Sequence, residues 1–427
     1  MNRIHIRGGR LIDPANAIDA ERDLWLEHGK VLAVGEAPAD FKPDQIIDAR
    51  GKIVCPGLID LGVHLREPGQ EHKGTIGSEG RAAARGGITT LVCMPDTQPV
   101  IDTPAVWELI RRRAKACGNA RVLAIGALTH ELAGEQLAEM GALKRAGCVA
   151  VSNTRRPMAN TLVTRHALEY ASTFSLPVIL CSEDPHLKAG GCVHEGAVAS
   201  RLGLPGIPAA AETVAVARDL ALTEHTGCRS HFHTLSTGRA IEMIRQARQG
   251  GAKLTAGVAI HQLFLMDQDV ADFNTACHVD PPLRTQSDRD RLRQALRDGD
   301  IQVICSNHQP HEADAKTEPF PLTAPGISGL ETLLPLSLKL VEEGLLDLAT
   351  AIAALTSGPA RVLDLPLGRL DPGRSADICI FDPEAIWKLD PETMASQGKN
   401  TPFAGWEFRG RVTHTLFEGR LTWSIDS

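Results

Sequence analysis

From Pro56 onward, short apolar runs alternate with Ala-, Leu-, Glu- and Arg-rich stretches of helical spacing, which is the texture of repeated strand-helix units. Eight such runs predict strands: LIDLGVHL from Leu58, TTLVCMPD from Thr89, RVLAIGALT from Arg121, CVAVSN from Cys148, PVILCSE from Pro177, SHFHTLS from Ser230, KLTAGVAI from Lys253 and QVICSNHQ from Gln302. Eight strand-helix units are the number that closes a barrel. Both ends of the chain differ from this middle. Residues 3 to 55 carry IHIRGGRLID, DLWLEHGKVLAVG and QIIDARGKIVC, and after Leu365 the runs GRLDPGRSADICIFDP and GRVTHTLFEGRLTW follow; all are strand-like, punctuated by Gly and Asp, without a helix of useful length. The expected fold is therefore α/β: a (β/α)8 TIM barrel over 56–365, with one small β-sandwich assembled from 1–55 and 366–427. In such a barrel the chemistry sits at the carboxyl ends of the strands.

Composition narrows the function classes. The chain of 427 residues exceeds the usual size of one domain, which suits a large barrel with a smaller companion. A formal net charge of -7 gives no basic footprint for nucleic acid, and Arg111-Arg112-Arg113 reads as a solvated helix face. The amino terminus, MNRIHIRGGRLID, lacks the apolar stretch of a signal peptide, and nowhere do ~18 consecutive apolar residues occur. A cytoplasmic protein with no membrane contact is expected. Ten cysteines are scattered without a C-x-x-C pair, as in a reducing compartment, and most are expected to be small core residues.

The motifs carry a more specific resemblance. PGLIDLGVHLREPG, ending the first predicted strand, resembles the opening Asp-x-His-x-His motif of the amidohydrolase superfamily in its dihydroorotase form. CMPDTQP resembles that family's Met-Pro-Asn-Thr segment, SEDP with EGAVASRLGLPGIPAAAE its fifth-strand loop, and DPPLRTQSDR its Asn-Pro-Pro-Leu-Arg element; SNHQPH and APGISGLET complete a series in family order over nearly the whole chain. The resemblance implies one or two zinc ions held by two histidines of the first motif, an acid or carbamylated lysine after the fourth strand, histidines ending strands five and six, and an aspartate ending strand eight. Imidazole and carboxylate suit that ion, which makes a hydroxide nucleophile of its bound water.

Position by position, this chain departs from that pattern. Gly62 stands for the first histidine, and only His64 remains of the pair; Asn153 replaces the bridging acid, Cys181 and Thr234 replace the histidines of strands five and six, and Asn307 replaces the aspartate that serves as ligand and general base. His231 and His233 lie just before Thr234, but strand alternation is expected to send them to the other face. One ligand-type position of six keeps its family residue, short of the three protein ligands a catalytic zinc normally needs. Zinc is not expected, and neither is any other cofactor. On the substrate side, Arg66 and His308 match family contacts, whereas Asp96 and Asp280 stand where the family has asparagine. These acids oppose an anionic substrate, and Arg66 is expected to pair internally with Asp96. A residual metal site from His64, His308 and His311 is the less favoured reading, as is a stray zinc on Cys181, which is expected to be an inert thiol.

The broken ligand set is similar to that of the inactive dihydroorotase-like chains of bacteria, which associate with the catalytic chain of aspartate carbamoyltransferase. The resemblance thus implies a structural subunit without catalysis, with that chain as partner and with homo-oligomeric contacts. Two alternatives stay open: a single-metal or metal-independent amidohydrolase acting on a cyclic amide, and a non-catalytic sensor of pyrimidine intermediates.

Overall fold

The computed structural model describes residues 3–425 apart from 157 and 159. All eight predicted barrel strands form, as β1 (Leu58–Val63), β2 (Ile88–Cys93), β3 (Arg121–Ala127), β4 (Ala150–Ser152), β5 (Val178–Leu180), β6 (Ser230–Phe232), β7 (Leu254–Ala259) and β8 (Val303–Cys305). Each pairs in parallel with the next. Their residues are almost entirely buried, as expected of a parallel sheet covered on both faces.

β8 returns beside β1 through side-chain and loop bonds. The Asp60 carboxylate, buried in β1, accepts from the Ser306 backbone N–H at 2.9 Å and from the Ser306 hydroxyl, while His64 N–H donates to the His308 carbonyl at 3.0 Å. Burial raises the Asp60 pKa even though the Ser306 bonds oppose it. A charge so placed requires those partners, because an unpaired buried carboxylate is costly.

Helices start where the sequence offers caps. Thr75 and Ser78 form a reciprocal capping box on Ile76–Arg85, and Thr237 and Thr285 cap Gly238–Gln249 and Gln286–Arg297; each such cap contributes about 1 kcal/mol. Inside the barrel, Ile59, Leu61, Val92, Ile125, Ile179 and Val303 pack with Val362 and Leu363 of the helix Ser357–Leu363. That packing fills the barrel interior with apolar side chains, and the loops after the strands carry the cavity.

The terminal strands form two sheets. One comprises Lys30–Val34, Leu24–Glu27, Arg3–Arg7 and Gln45–Asp48; the other joins Arg420–Ser424, Glu407–Phe417 and Ile378–Lys388 to Ile53–Pro56, Arg10–Asp13 and Ile18–Glu21. Ile4, Ile6, Leu24 and Leu26 of the first pack with Leu11, Val54, Ile380 and Leu416 of the second. Between the two long carboxyl-terminal strands, residues 389–406 reach back over the barrel: Ser396 Oγ donates to Glu79 at 2.7 Å, and the Asn400 amide donates to the carbonyls of Gln309 and Gly326 at 3.0 Å.

Among the described residues no helix is long and apolar enough to cross a membrane. All ten cysteines are free, and eight are buried, Cys117 being exposed and Cys181 intermediate. Arg111 and Arg112 pair with Glu108 on an exposed helix face and Arg113 with Glu67, as the solvated reading anticipated.

Candidate functional site

At the carboxyl ends of the strands lies a cavity of about 220 Å³, lined by His64, Arg66, Asp96, Arg155, Cys181, His233, Thr234, Asp280 and Asn307 among others. Four of its lining residues, beyond the strand ends, have left-handed backbone conformations, Arg66 at φ 64°, Thr154 at 54°, Thr234 at 54° and Asn307 at 48°, and Gly62 near the end of β1 lies at 94°. Such conformations are uncommon for residues with a side chain, and here they turn the chain sharply at the barrel mouth.

The first-motif histidine His64 points Nδ1 at Asp96, with 2.7 Å to Oδ2. Burial favours a neutral Asp96, but His64 and then Arg66 outweigh it and hold the carboxyl below its ordinary range. Arg66 does not hydrogen-bond to Asp96, contrary to the internal pairing expected. Its Nε donates to the Pro310 carbonyl at 3.1 Å and its Nη2 lies 3.1 Å from His311 Nε2, so the arginine is held by the loop after β8 and acts on Asp96 only through space.

Of the positions to which the resemblance assigns ligands, His64, Cys181, Thr234 and Asn307 line the cavity together. Asn153 is turned out of the cavity: its Oδ1 accepts from Thr129 Oγ1 at 2.7 Å, and its Nδ2 donates to the carbonyls of Leu132 and Arg156. Cys181 does face the cavity, with a thiol that burial pushes up to about 11, so the thiolate needed for metal binding is scarce at neutral pH. Asn307 donates to the Asp280 carbonyl at 3.4 Å. The Thr234 hydroxyl accepts from Arg155 Nη2 at 2.6 Å.

His233 corrects the alternation argument. β6 ends at Phe232, and the left-handed turn at Thr234 lets both His233 and Thr234 line the cavity. The His233 ring fills the space beside Gly62, its Cε1 2.7 Å from where a Cβ on residue 62 would stand and its Nε2 closer still. Neither ring nitrogen has a hydrogen-bond partner among the described residues. Burial, then the neighbouring His231, Arg155 and His64, push its pKa far down, so the ring is neutral.

His308 is fully buried away from the cavity. Its Nδ1 accepts from Gly329 N–H at 3.1 Å and its Nε2 donates to Glu79 Oε2 at 2.9 Å. His311 is engaged by Arg66 and by the Asn400 side chain through its backbone. His64, His308 and His311 therefore do not assemble a residual ligand set.

Charge at the mouth is balanced by side chains that the motifs did not single out. Lys188 Nζ lies 2.7 Å from Glu183 Oε1 and 2.7 Å from Asp280 Oδ2, and Arg155 Nη1 lies 3.9 Å from Glu183 and 3.7 Å from Asp280. Burial raises the pKa of the Glu183 and Asp280 pair, and the two cations oppose it, leaving Asp280 lowered and Glu183 raised. The basic pair Arg155-Arg156, directly after a predicted strand end, was the available signal for this cluster.

Zinc does not fit these residues. Among the described residues no group of three or more His, Cys, Asp or Glu could hold a metal ion; residue 62 has no side chain, Asn153 is turned away, and the Thr234 hydroxyl is taken by a guanidinium.

Similarity to known proteins now bears on this geometry. A family described as Dihydro-orotase-like matches residues 51–239, and one described as Amidohydrolase family matches 329–423. A Dihydroorotase-like protein of Pseudomonas aeruginosa is 52% identical over 98% of this chain and 99% of its own. The chain belongs to the dihydroorotase-like family of amidohydrolases. A Dihydroorotase of Syntrophus aciditrophicus is 45% identical over 99% of this chain and 100% of its own. The L-hydantoinase (dihydropyrimidinase) of Arthrobacter aurescens superposes with a TM-score of 0.88 at 24% identity, covering 99% of this chain and 96% of that one, and supports the fold alone. In this dihydroorotase-like chain the cavity at the strand ends sets Arg155 against Thr234 and the His233 ring against Gly62.

Proposed function

We propose that the chain is a catalytically inactive dihydroorotase homologue, a structural subunit that assembles in the cytoplasm with the catalytic chain of aspartate carbamoyltransferase in pyrimidine biosynthesis. The observation that carries the proposed loss of catalysis is what two of the ligand positions hold instead: an arginine donates to Thr234, and a histidine ring fills the side-chain space of Gly62. A hydrolase of this type needs a cation-activated water and a general base, and Asn307 offers no base. A partner role explains how the barrel is retained without its chemistry, because the outer surface is then what functions. The resemblance to inactive dihydroorotase-like chains supplies the partner, and homo-oligomeric contacts belong to the same proposal. Co-expression with the carbamoyltransferase chain followed by size-exclusion chromatography tests it. A single co-eluting species is expected, and separate elution at cellular concentrations refutes the assembly.

One observation favours a second reading, a metal-independent amidohydrolase: His64 and Asp96 form a hydrogen-bonded pair at 2.7 Å inside the cavity, as a general base and its orienting acid would. Turnover of dihydroorotate or a related cyclic amide without zinc would establish it. A sensor of anionic pyrimidine intermediates ranks last, because the acids Asp96 and Asp280 both line the cavity.

A further inference from the structure

The family's reaction centre is a cation held by anionic and neutral donors. In this chain the corresponding cavity is lined by a guanidinium. Arg155 follows β4, and its guanidinium reaches across the mouth to Thr234, the strand-six ligand position, at 2.6 Å. On the way it passes within 3.7 Å of Asp280 and 3.9 Å of Glu183, and it lines the same cavity as Cys181, the strand-five position. Burial disfavours a charged Arg155, yet the neighbouring carboxylates of Asp280 and Glu183 oppose it and its pKa is raised. The group thus stays cationic, as guanidinium does in proteins generally, and it offers five N–H donors and no lone pair.

Two features follow from that chemistry. A guanidinium can neutralise carboxylates but cannot act as a metal ligand, and its charge repels a dication placed beside it. Arg155 and Lys188 oppose Glu183 and Asp280, so two cations meet two anions without help from a metal. The His233 ring takes the side-chain space at Gly62.

We propose that the Arg155 guanidinium is a built-in substitute for the missing cation and, with the His233 ring, fills the metal's place, so that restoring ligand residues alone does not recreate a zinc site. This deepens the inactive-homologue proposal and rests on it only in taking the unaltered chain to lack zinc.

The test compares two full-length variants. The first carries Gly62→His, Asn153→Asp, Cys181→His, Thr234→His and Asn307→Asp; the second adds Arg155→Ala and His233→Ala. Bound zinc per folded chain is measured by elemental analysis after dialysis against the same free zinc. The expected result is at least tenfold more zinc in the second variant. Equal zinc in both, whether high or negligible, overturns the proposal.

Should either variant fail to fold, single substitutions decide. Arg155→Met, which keeps length and removes charge, is expected to lower the melting temperature by several degrees, and Arg155→Lys to recover most of that loss. An unchanged melting temperature for Arg155→Met, or an equal fall for Arg155→Lys, overturns the proposal. Stoichiometric zinc in the unaltered chain would instead sink the inactive-homologue reading, so the two failures are distinct.

Discussion

The His233 ring occupies the space that a side chain on residue 62 would need, with Cε1 2.7 Å from the Cβ position of that glycine. Gly62 also lies at φ 94°, where any side chain is strained by about 1–2 kcal/mol. Gly62→Ala is therefore expected to destabilise the chain by about 3 kcal/mol, combining that strain with overpacking of roughly 1–3 kcal/mol. His233→Ala should relieve the overpacking but not the strain. A double-mutant cycle read by urea unfolding is expected to give a coupling of about 1 kcal/mol or more, and strictly additive effects would show that the two sites do not share space.

Acid should destabilise the fold earlier than carboxylate titration requires. Burial pushes His231 and His261 down to about 3, and burial with the nearby Lys316 pushes His278 to about 4. Unfolded, such rings titrate near about 6.5. Above that pH they are neutral in both states and cost nothing; below it the unfolded chain binds protons that the folded chain refuses, until the folded pKa is reached. Each ring then removes about 1.4 kcal/mol per pH unit between about pH 6.5 and the folded value. The urea midpoint is expected to fall between pH 7 and pH 5, and His261→Leu to flatten that slope by one ring's share. A midpoint constant over this range would contradict the burial assigned to these rings.

Glu79 ties the barrel to the carboxyl-terminal segment. Fully buried, it accepts from His308 Nε2 at 2.9 Å, Ser396 Oγ at 2.7 Å, Ser78 Oγ at 2.8 Å and Gln397 N–H at 3.2 Å. Burial would raise its pKa, but the histidine and hydroxyl bonds prevail and lower it. Glu79→Ala leaves these donors without an acceptor and is expected to cost about 3–5 kcal/mol, with Glu79→Gln costing less. Loss of protection of residues 394–400 in hydrogen exchange would accompany Glu79→Ala, and unchanged exchange there would argue against the tie.

The barrel was legible because each strand is a short apolar run between turn residues, and all eight such runs fold as strands. Motif order also placed Gly62, Asn153, Cys181, Thr234 and Asn307 near the carboxyl ends of strands, where the structure has them. What fills their space was not legible. Alternation placed His233 on the wrong face because β6 stops at Phe232 and Thr234 turns left-handed, a break no periodicity marks. Asp96 was matched to Arg66 by opposite charge at the barrel mouth, but the loop after β8 holds Arg66 through Pro310 and His311 and leaves His64 as the partner. Arg155 reaches Thr234 across 79 residues of sequence, a contact set by barrel closure rather than by any local pattern.

The most direct measurement is zinc content of the purified full-length chain, taken together with dihydroorotate hydrolysis in added zinc. The expected result is far less than one zinc per chain and no turnover above the uncatalysed rate. Stoichiometric zinc accompanied by turnover would contradict the account.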